Sequence, residues 1–161
     1  MNHYEELTAF LKVVYQNLGV LHHNVVGHGF FTIHPQLEEW YKYIGDMLDD
    51  LIERGIPLGH SEPSIKDAIL LYSNNLLPVE VRECNESIKL AYDDFIMVVE
   101  KATVVKEDTP VWASVRSVGS CTSLLRTRLV SVITTIMKAF RSTIRRSKRR
   151  MVTRPKPEER A

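Results

Sequence analysis

Apolar residues recur at steps of three and four in one segment after another, and this spacing constrains the fold more than anything else in the chain. The first run is Leu7, Phe10, Leu11, Val14, Leu18 and Leu21, within residues 3–26. Such steps lay a single stripe along an α-helix. A second set, Leu37, Trp40, Tyr41, Ile44, Leu48, Leu51 and Ile52, runs from Pro35 to about Arg54. Between the two, residues 27–34 (GHGFFTIH) break the pattern. Gly27 and Gly29 permit positive φ, and Pro35 suits the first turn of a new helix, where a missing N–H costs little. Gly55, Pro57 and Gly59 stop that helix. Residues 60–78 read as a crossover. Ser61 or Ser64 caps a short helix there that runs through Ser73, and Asn74, Asn75 and Pro78 end it. Val81, Cys84, Ile88, Leu90, Ala91, Phe95, Val98 and Val99 predict a third long helix over 79–104. Val111, Val115, Val118, Leu125, Leu129, Val132, Ile133, Ile136 and Phe140 predict a fourth over 111–146, although its Val, Ser and Thr content lowers helix propensity. No strand alternation or hairpin signal competes. The expected fold class is all-α: a four-helix bundle with a short helix in the long connection between the second and third helices.

Composition narrows the class further. The 161 residues suffice for one domain with a real core, and 44% apolar with 25% charged residues is an ordinary soluble balance. The apolar runs are too short to span a bilayer, and the acidic start, MNHYEELTAF, lacks the layout of a secretion signal. A cytoplasmic location is expected. Cys84 and Cys121 have no zinc-type spacing and read as reduced thiols. There is no Gly-rich phosphate loop, no Ser/His/Asp pattern and no zinc cysteine set.

The net charge of +1 hides an asymmetry. From Lys138 to Ala161 there are ten lysines and arginines against Glu158 and Glu159, a net of +8, which leaves −7 for residues 1–137. An acidic body with a basic tail says more about partners than about fold.

The chemistry-bearing residues cluster in 21–53. His22 falls four residues after Leu18, near the buried stripe of the first helix. Asp49 and Glu53 stand at i, i+4, so both carboxylates share a face of the second helix. Glu38 lies three turns before Asp49 on that face, His34 lies four residues before Glu38, and Asp46 is close by. Imidazole with carboxylate is a donor set suited to iron, zinc or manganese. The same residues also read as a hydrogen-bonded histidine beside a solvated acidic face. His3, His23, His28 and His60 read as ordinary histidines. Metal sites held inside larger ferritin bundles use Glu-x-x-His, which this chain lacks. A site built from His22, His34, Asp49 and Glu53 therefore lies elsewhere, with a position between chains as one option.

The stretch LHHNVVGHGFFTIHPQLEEWYKYIGDMLDDLIE resembles the signature of Dps-type mini-ferritins, the DNA-binding proteins from starved cells. That signature is roughly H-W-N-x-x-G-x-x-F-x-x-x-H, then fifteen residues to D-x-x-x-E. His22, Asn24, Gly27, Phe30 and His34 fall in place, and Asp49 and Glu53 follow at the family's spacing. The resemblance covers residues 1–105 in helix layout and is specific at 21–53. It implies a ferritin-like four-helix bundle, placed here at residues 1–146, while the basic tail at 147–161 is read from the charge pattern. It also implies a homododecameric shell built from two-fold dimers, with ferroxidase sites at the two-fold interfaces. There, residues matching His22 and His34 come from one subunit, those matching Asp49 and Glu53 come from its neighbour, and Glu38 is an auxiliary ligand. The implied activity is oxidation of Fe(II), with hydrogen peroxide as the favoured oxidant, and storage of ferric mineral. Zinc or manganese fit the same donors. The sequence departs from the family in three places: His23 replaces the signature tryptophan, residues 111–161 are not an acidic last helix, and the basic extension is C-terminal.

The tail run RSTIRRSKRRMVTRPKP carries no acid and reads as disordered and solvated. Arg141, Arg145, Arg146, Lys148, Arg149, Arg150, Arg154 and Lys156 give it the character of a phosphate-backbone binder without sequence preference, which predicts DNA as a partner and nucleoid association. Without interleaved aromatics, base stacking is not indicated. An anionic membrane surface is the rival partner. The rival to the whole functional reading is a DNA-binding or structural shell that keeps the fold without ferroxidase chemistry.

Overall fold

The computed structural model describes residues 1–107, and within them the chain is mostly helical. Helix α1, His3–Asn24, opens on a capping box: Asn2 Oδ1 accepts the Glu5 amide at 3.0 Å, and Glu5 Oε2 accepts the Asn2 amide at 3.2 Å. The predicted stripe of α1 is buried from Leu7 to Leu21, but so are Ala9, Val13 and Val20 on other sides. Helix α1 is apolar nearly all round because it is the central element of the described fold.

Strand β1, Val25–Val26, follows and pairs in parallel with β2, Arg82–Glu83, with Val25 opposite Arg82. Two residues per strand leave no periodicity to read, which is why the sequence showed no strand. Helix α2 spans Phe30–Gly55, starting five residues earlier than the expected first turn at Pro35. Gly29 makes the early start possible: at φ +103° it turns the chain, and its carbonyl accepts both the Thr32 and Ile33 amides at 2.9 Å. Pro35 therefore sits inside the helix, and the bond it forfeits is the one to the carbonyl of Phe31. Phe31 is 91% exposed, so that end of the helix is open to water.

Helix α3, Ile65–Tyr72, occupies the crossover. Of the two expected caps, Ser64 is the one used, in a capping box with Asp67. Ala68 packs on Ala9 and Val13 of α1, while Ile65, Ile69, Leu70 and Leu71 remain exposed. Helix α4 spans Cys84–Glu107, starting later than the expected residue 79. The buried Arg82 explains the delay. Its guanidinium donates to the carbonyls of Pro78 at 2.9 Å and Glu80 at 3.3 Å and pairs with the Glu80 carboxylate at 2.7 Å, which holds 78–82 in a loop. Val81, expected in the core, is instead 68% exposed.

The core lies where α2, α3 and α4 meet α1, around Phe10, Leu11, Leu18, Leu37, Ile44 and Ala91. Trp40 of α2 meets Phe95 of α4 edge to face at 5.4 Å. Tyr4 donates its hydroxyl to the Leu51 carbonyl and pins the start of α1 to the end of α2. The fourth predicted helix (111–146), the 147–161 tail and Cys121 lie outside the described residues. Cys84 is a buried free thiol. No helix of the described residues is long and apolar enough to cross a membrane.

Candidate metal centre

The last turn of α1 carries His22, and the second turn of α2 carries His34. The loop through Gly27 and Gly29 folds the two helices back on each other and brings the imidazoles together, with ring centroids 4.1 Å apart at 38°. His22 Nδ1 lies 3.3 Å from the His34 carbonyl. That carbonyl can only accept, so the contact fixes the proton on Nδ1 and leaves the Nε2 lone pair of His22 free for a metal. Burial holds the His22 pKa below its ordinary value, and the His34 and His23 rings add to this. The His34 carbonyl and Glu38 oppose it. The net result is a neutral imidazole at neutral pH, the form a metal requires. Phe30 packs at a tilt of 38° against His34 at 4.9 Å, and His23 meets His22 edge-on at 5.0 Å. An aromatic wall is thus present although the signature tryptophan is absent.

Glu38 stands one turn beyond His34 and is engaged by Lys42, with Nζ 2.5 Å from Oε1. The Lys42 hydrogen bond and its charge hold the Glu38 carboxyl below the usual range, with smaller help from His22 and His34. Asp49 and Glu53 are exposed further along the same helix. Asp49 borders an open groove of about 420 Å³ with Tyr15, Tyr41, Lys42, Gly45, Asp46, Leu48 and Ile52. Above the groove, Tyr15 of α1 and Tyr41 of α2 stack at 4.4 Å, which requires small residues beneath them. A Cβ on Gly45 would sit 3.0 Å from the Tyr15 ring, and one on Gly19 3.3 Å from the Tyr41 ring.

The five predicted ligands therefore form two groups. His22, His34 and Glu38 gather at one end of α2, and Asp49 and Glu53 lie at the other. Fifteen residues of helix separate His34 from Asp49, or about 22 Å at 1.5 Å per residue. Among the described residues, no group of three or more His, Cys, Asp or Glu side chains converges on a point that could hold a metal ion. The tail residues Arg141, Arg145, Arg146, Lys148, Arg149, Arg150, Arg154 and Lys156 lie outside the described residues.

One polar node is not foreseen by the sequence pattern. Asn17, fully buried in α1, donates to the Asn75 carbonyl at 2.8 Å and to Asp94 Oδ2 at 3.0 Å, and accepts the Leu77 amide at 2.9 Å. Asp94 of α4 is itself buried, and burial pushes its carboxyl up to about 7; Asp93 adds to the rise and the Asn17 bond opposes it. A polar residue in each of two apolar stripes is the available clue, but nothing in the sequence pairs them.

No family model matches the chain, and no solved structure does. Among curated proteins, the chain is similar to the DNA protection during starvation protein of Helicobacter pylori (strain J99 / ATCC 700824). The identity is 41% over 56 residues, covering 35% of this chain and 39% of that protein. General stress protein 20U of Bacillus subtilis (strain 168) is 30% identical over 94 residues, covering 55% of this chain and 61% of that protein. An uncharacterized protein of Haemophilus influenzae is 30% identical over 83 residues, covering 52% of each. The chain spans between 39% and 61% of the length of these relatives. Over that part of its length, the similarity points to a Dps-like family of stress proteins.

Proposed function

We propose that this protein is a Dps-type mini-ferritin with a ferritin-like bundle, which binds and oxidises Fe(II) as its substrate at sites shared between two copies of the chain. The observation that carries this reading is the packed His22–His34 pair, with its free Nε2, standing about 22 Å along the helix from Asp49 and about 28 Å from Glu53. His34, Glu38, Asp49 and Glu53 lie on one stripe of α2, and His22 packs against His34 from α1. A second copy related by a two-fold axis runs its α2 antiparallel and sets the histidine end of each helix against the carboxylate end of the other. The interface is then isologous and carries two identical sites.

The donor set suits the reaction. Neutral imidazoles bind Fe(II), and hard carboxylate donors favour Fe(III), which assists the oxidation. Two Fe(II) each give up one electron and one hydrogen peroxide accepts both, its O–O bond breaking to give two hydroxides. A homododecamer built from such dimers would store the ferric product. Zinc or manganese would compete for the same donors. The basic tail would hold the shell on DNA in the nucleoid, a role in keeping with the name of the Helicobacter pylori relative. Twelve tails would act multivalently.

In the test, Fe(II) and peroxide are added to the wild type and to His22→Ala and Asp49→Ala. A rapid absorbance rise is expected in the wild type and strong slowing in both variants. Equal rates in all three and in buffer refute the ferroxidase. Unfolding the two variants together and refolding them as a mixture tests the sharing. A mixed dimer regains one intact site of two, so the mixture should recover about a quarter of wild-type activity, whereas a site within one chain recovers none. The separation of the two groups within one chain also suits a DNA-binding or structural shell without ferroxidase activity, and a wild type that oxidises Fe(II) no faster than buffer supports that second reading.

A further inference from the structure

Between His34 and Glu53 the chain has one lysine or arginine, Lys42, set among the acids Glu38, Glu39, Asp46 and Asp49, while Asp50 pairs with Arg54 at 3.8 Å. Its ammonium is bonded to Glu38 at 2.5 Å, and its side chain also lines the groove that Asp49 borders. The residue thus touches a member of the histidine group and faces a member of the distant carboxylate group. Lys42 stands midway between His34 and Asp49 along α2. In an antiparallel pair of α2 helices it comes close to the two-fold axis, beside the acids of either copy. Those acids would repel one another across the interface if nothing balanced them.

We propose that Lys42 is a positioning and selectivity residue of the shared site: a resident ammonium that occupies Glu38 when no metal is bound and that an incoming divalent cation must displace. This inference rests on the shared-site reading above. The ammonium stands in for the metal, keeps the interface acids compensated in the empty dimer, and raises the concentration of metal needed to fill the site. A monovalent cation is a poor competitor because it gains half the Coulomb energy of a divalent one at the same distance. Displacement moves no proton: the carboxylate exchanges an ammonium for the metal, and the freed lysine turns out to water while keeping its charge.

The test uses full-length wild type, Lys42→Gln and Lys42→Arg, each titrated with Co(II), whose absorption spectrum reports its ligands. A divalent ion about 8 Å from a retained ammonium in water meets a repulsion worth about a fivefold change in affinity. At low ionic strength Lys42→Gln should therefore bind Co(II) about fivefold more tightly than wild type, and the gap should close at about 1 M salt, where the screening length is roughly 3 Å. Lys42→Arg should follow the wild type. A merely structural lysine would show no such dependence of metal affinity on salt. Equal affinities of wild type and Lys42→Gln at low salt overturn the proposal, as does Lys42→Arg behaving like Lys42→Gln. His22→Ala and Asp49→Ala, titrated alongside, separate the two readings. If both bind Co(II) like wild type, the shared site falls and Lys42's role with it. If both lose Co(II) while Lys42→Gln matches wild type, only the role of Lys42 falls.

Discussion

Replacing Asp94 with asparagine should stabilise the protein above neutral pH and flatten its dependence on pH. The carboxyl of Asp94 is buried, and its pKa is pushed up from 3.8 to about 7. Asn17 Nδ2 donates to it at 3.0 Å, which offsets only part of the burial. A carboxyl whose folded pKa lies above its unfolded value binds its proton more tightly in the folded state. Below about pH 4 both states are protonated and Asp94 costs nothing by titration. As pH rises from about 4 to 7 the unfolded state ionises first, and the folded state loses stability. Above about pH 7 both are ionised and the cost is complete, at about 4 kcal/mol from 1.36 kcal/mol per pKa unit. An asparagine side chain at this position would keep the shape and accept the Asn17 bond through its own carbonyl oxygen without ever ionising. Urea unfolding of wild type and Asp94→Asn at about pH 5 and pH 8 reads the difference directly. The wild type should lose stability between the two, and the variant should be the more stable at the higher pH, by up to about 4 kcal/mol. A variant that is less stable at the higher pH, or that keeps the wild-type slope, refutes the reasoning.

Asn17→Ala removes the partners of the Leu77 amide, the Asn75 carbonyl and Asp94 together, and should cost about 2–4 kcal/mol in denaturant unfolding. Ser64→Ala removes the cap of α3 and should cost about 1 kcal/mol, with Ser64→Asp restoring most of it, both read from thermal melts. Gly45→Val drives a branched side chain into the Tyr15 ring, 3.0 Å from the Cβ position, and should lower the melting temperature while changing the tyrosine fluorescence as the stacked rings part. Truncation before Ser142 should abolish salt-sensitive retardation of duplex DNA, and equal binding by the truncated protein would remove the tail from DNA recognition.

The residues that define the helices were legible because burial imposes a period. Leu7 to Leu21 and Leu37 to Leu51 lie on the core faces, and that need writes itself into steps of three and four. The Ser64 cap was legible because its signal is local. Boundaries decided by contacts far apart in sequence were not. Nothing near Val79 shows that Arg82 will gather the Pro78 and Glu80 carbonyls, or that Val25 will pair with Arg82 across more than fifty residues. The start of α2 differs for the opposite reason: the proline signal is local and clear, but Gly29 supplies a better turn that starts the helix five residues earlier.

The candidate donors are readable from the chain alone. His22, His34, Glu38, Asp49 and Glu53 are fixed by spacing, because residue type and interval suffice to place side chains on a helix face. Which of them meet depends on how the helices pack. The turn at Gly27 and Gly29 closes His22 onto His34, while the rise of α2 keeps Asp49 and Glu53 out of reach of both. A rigid helix cannot fold its two ends together, so within one chain the histidine pair and the two carboxylates stay apart. The same structure showed Lys42 bonded to Glu38, a contact that the charge pattern allowed but did not require.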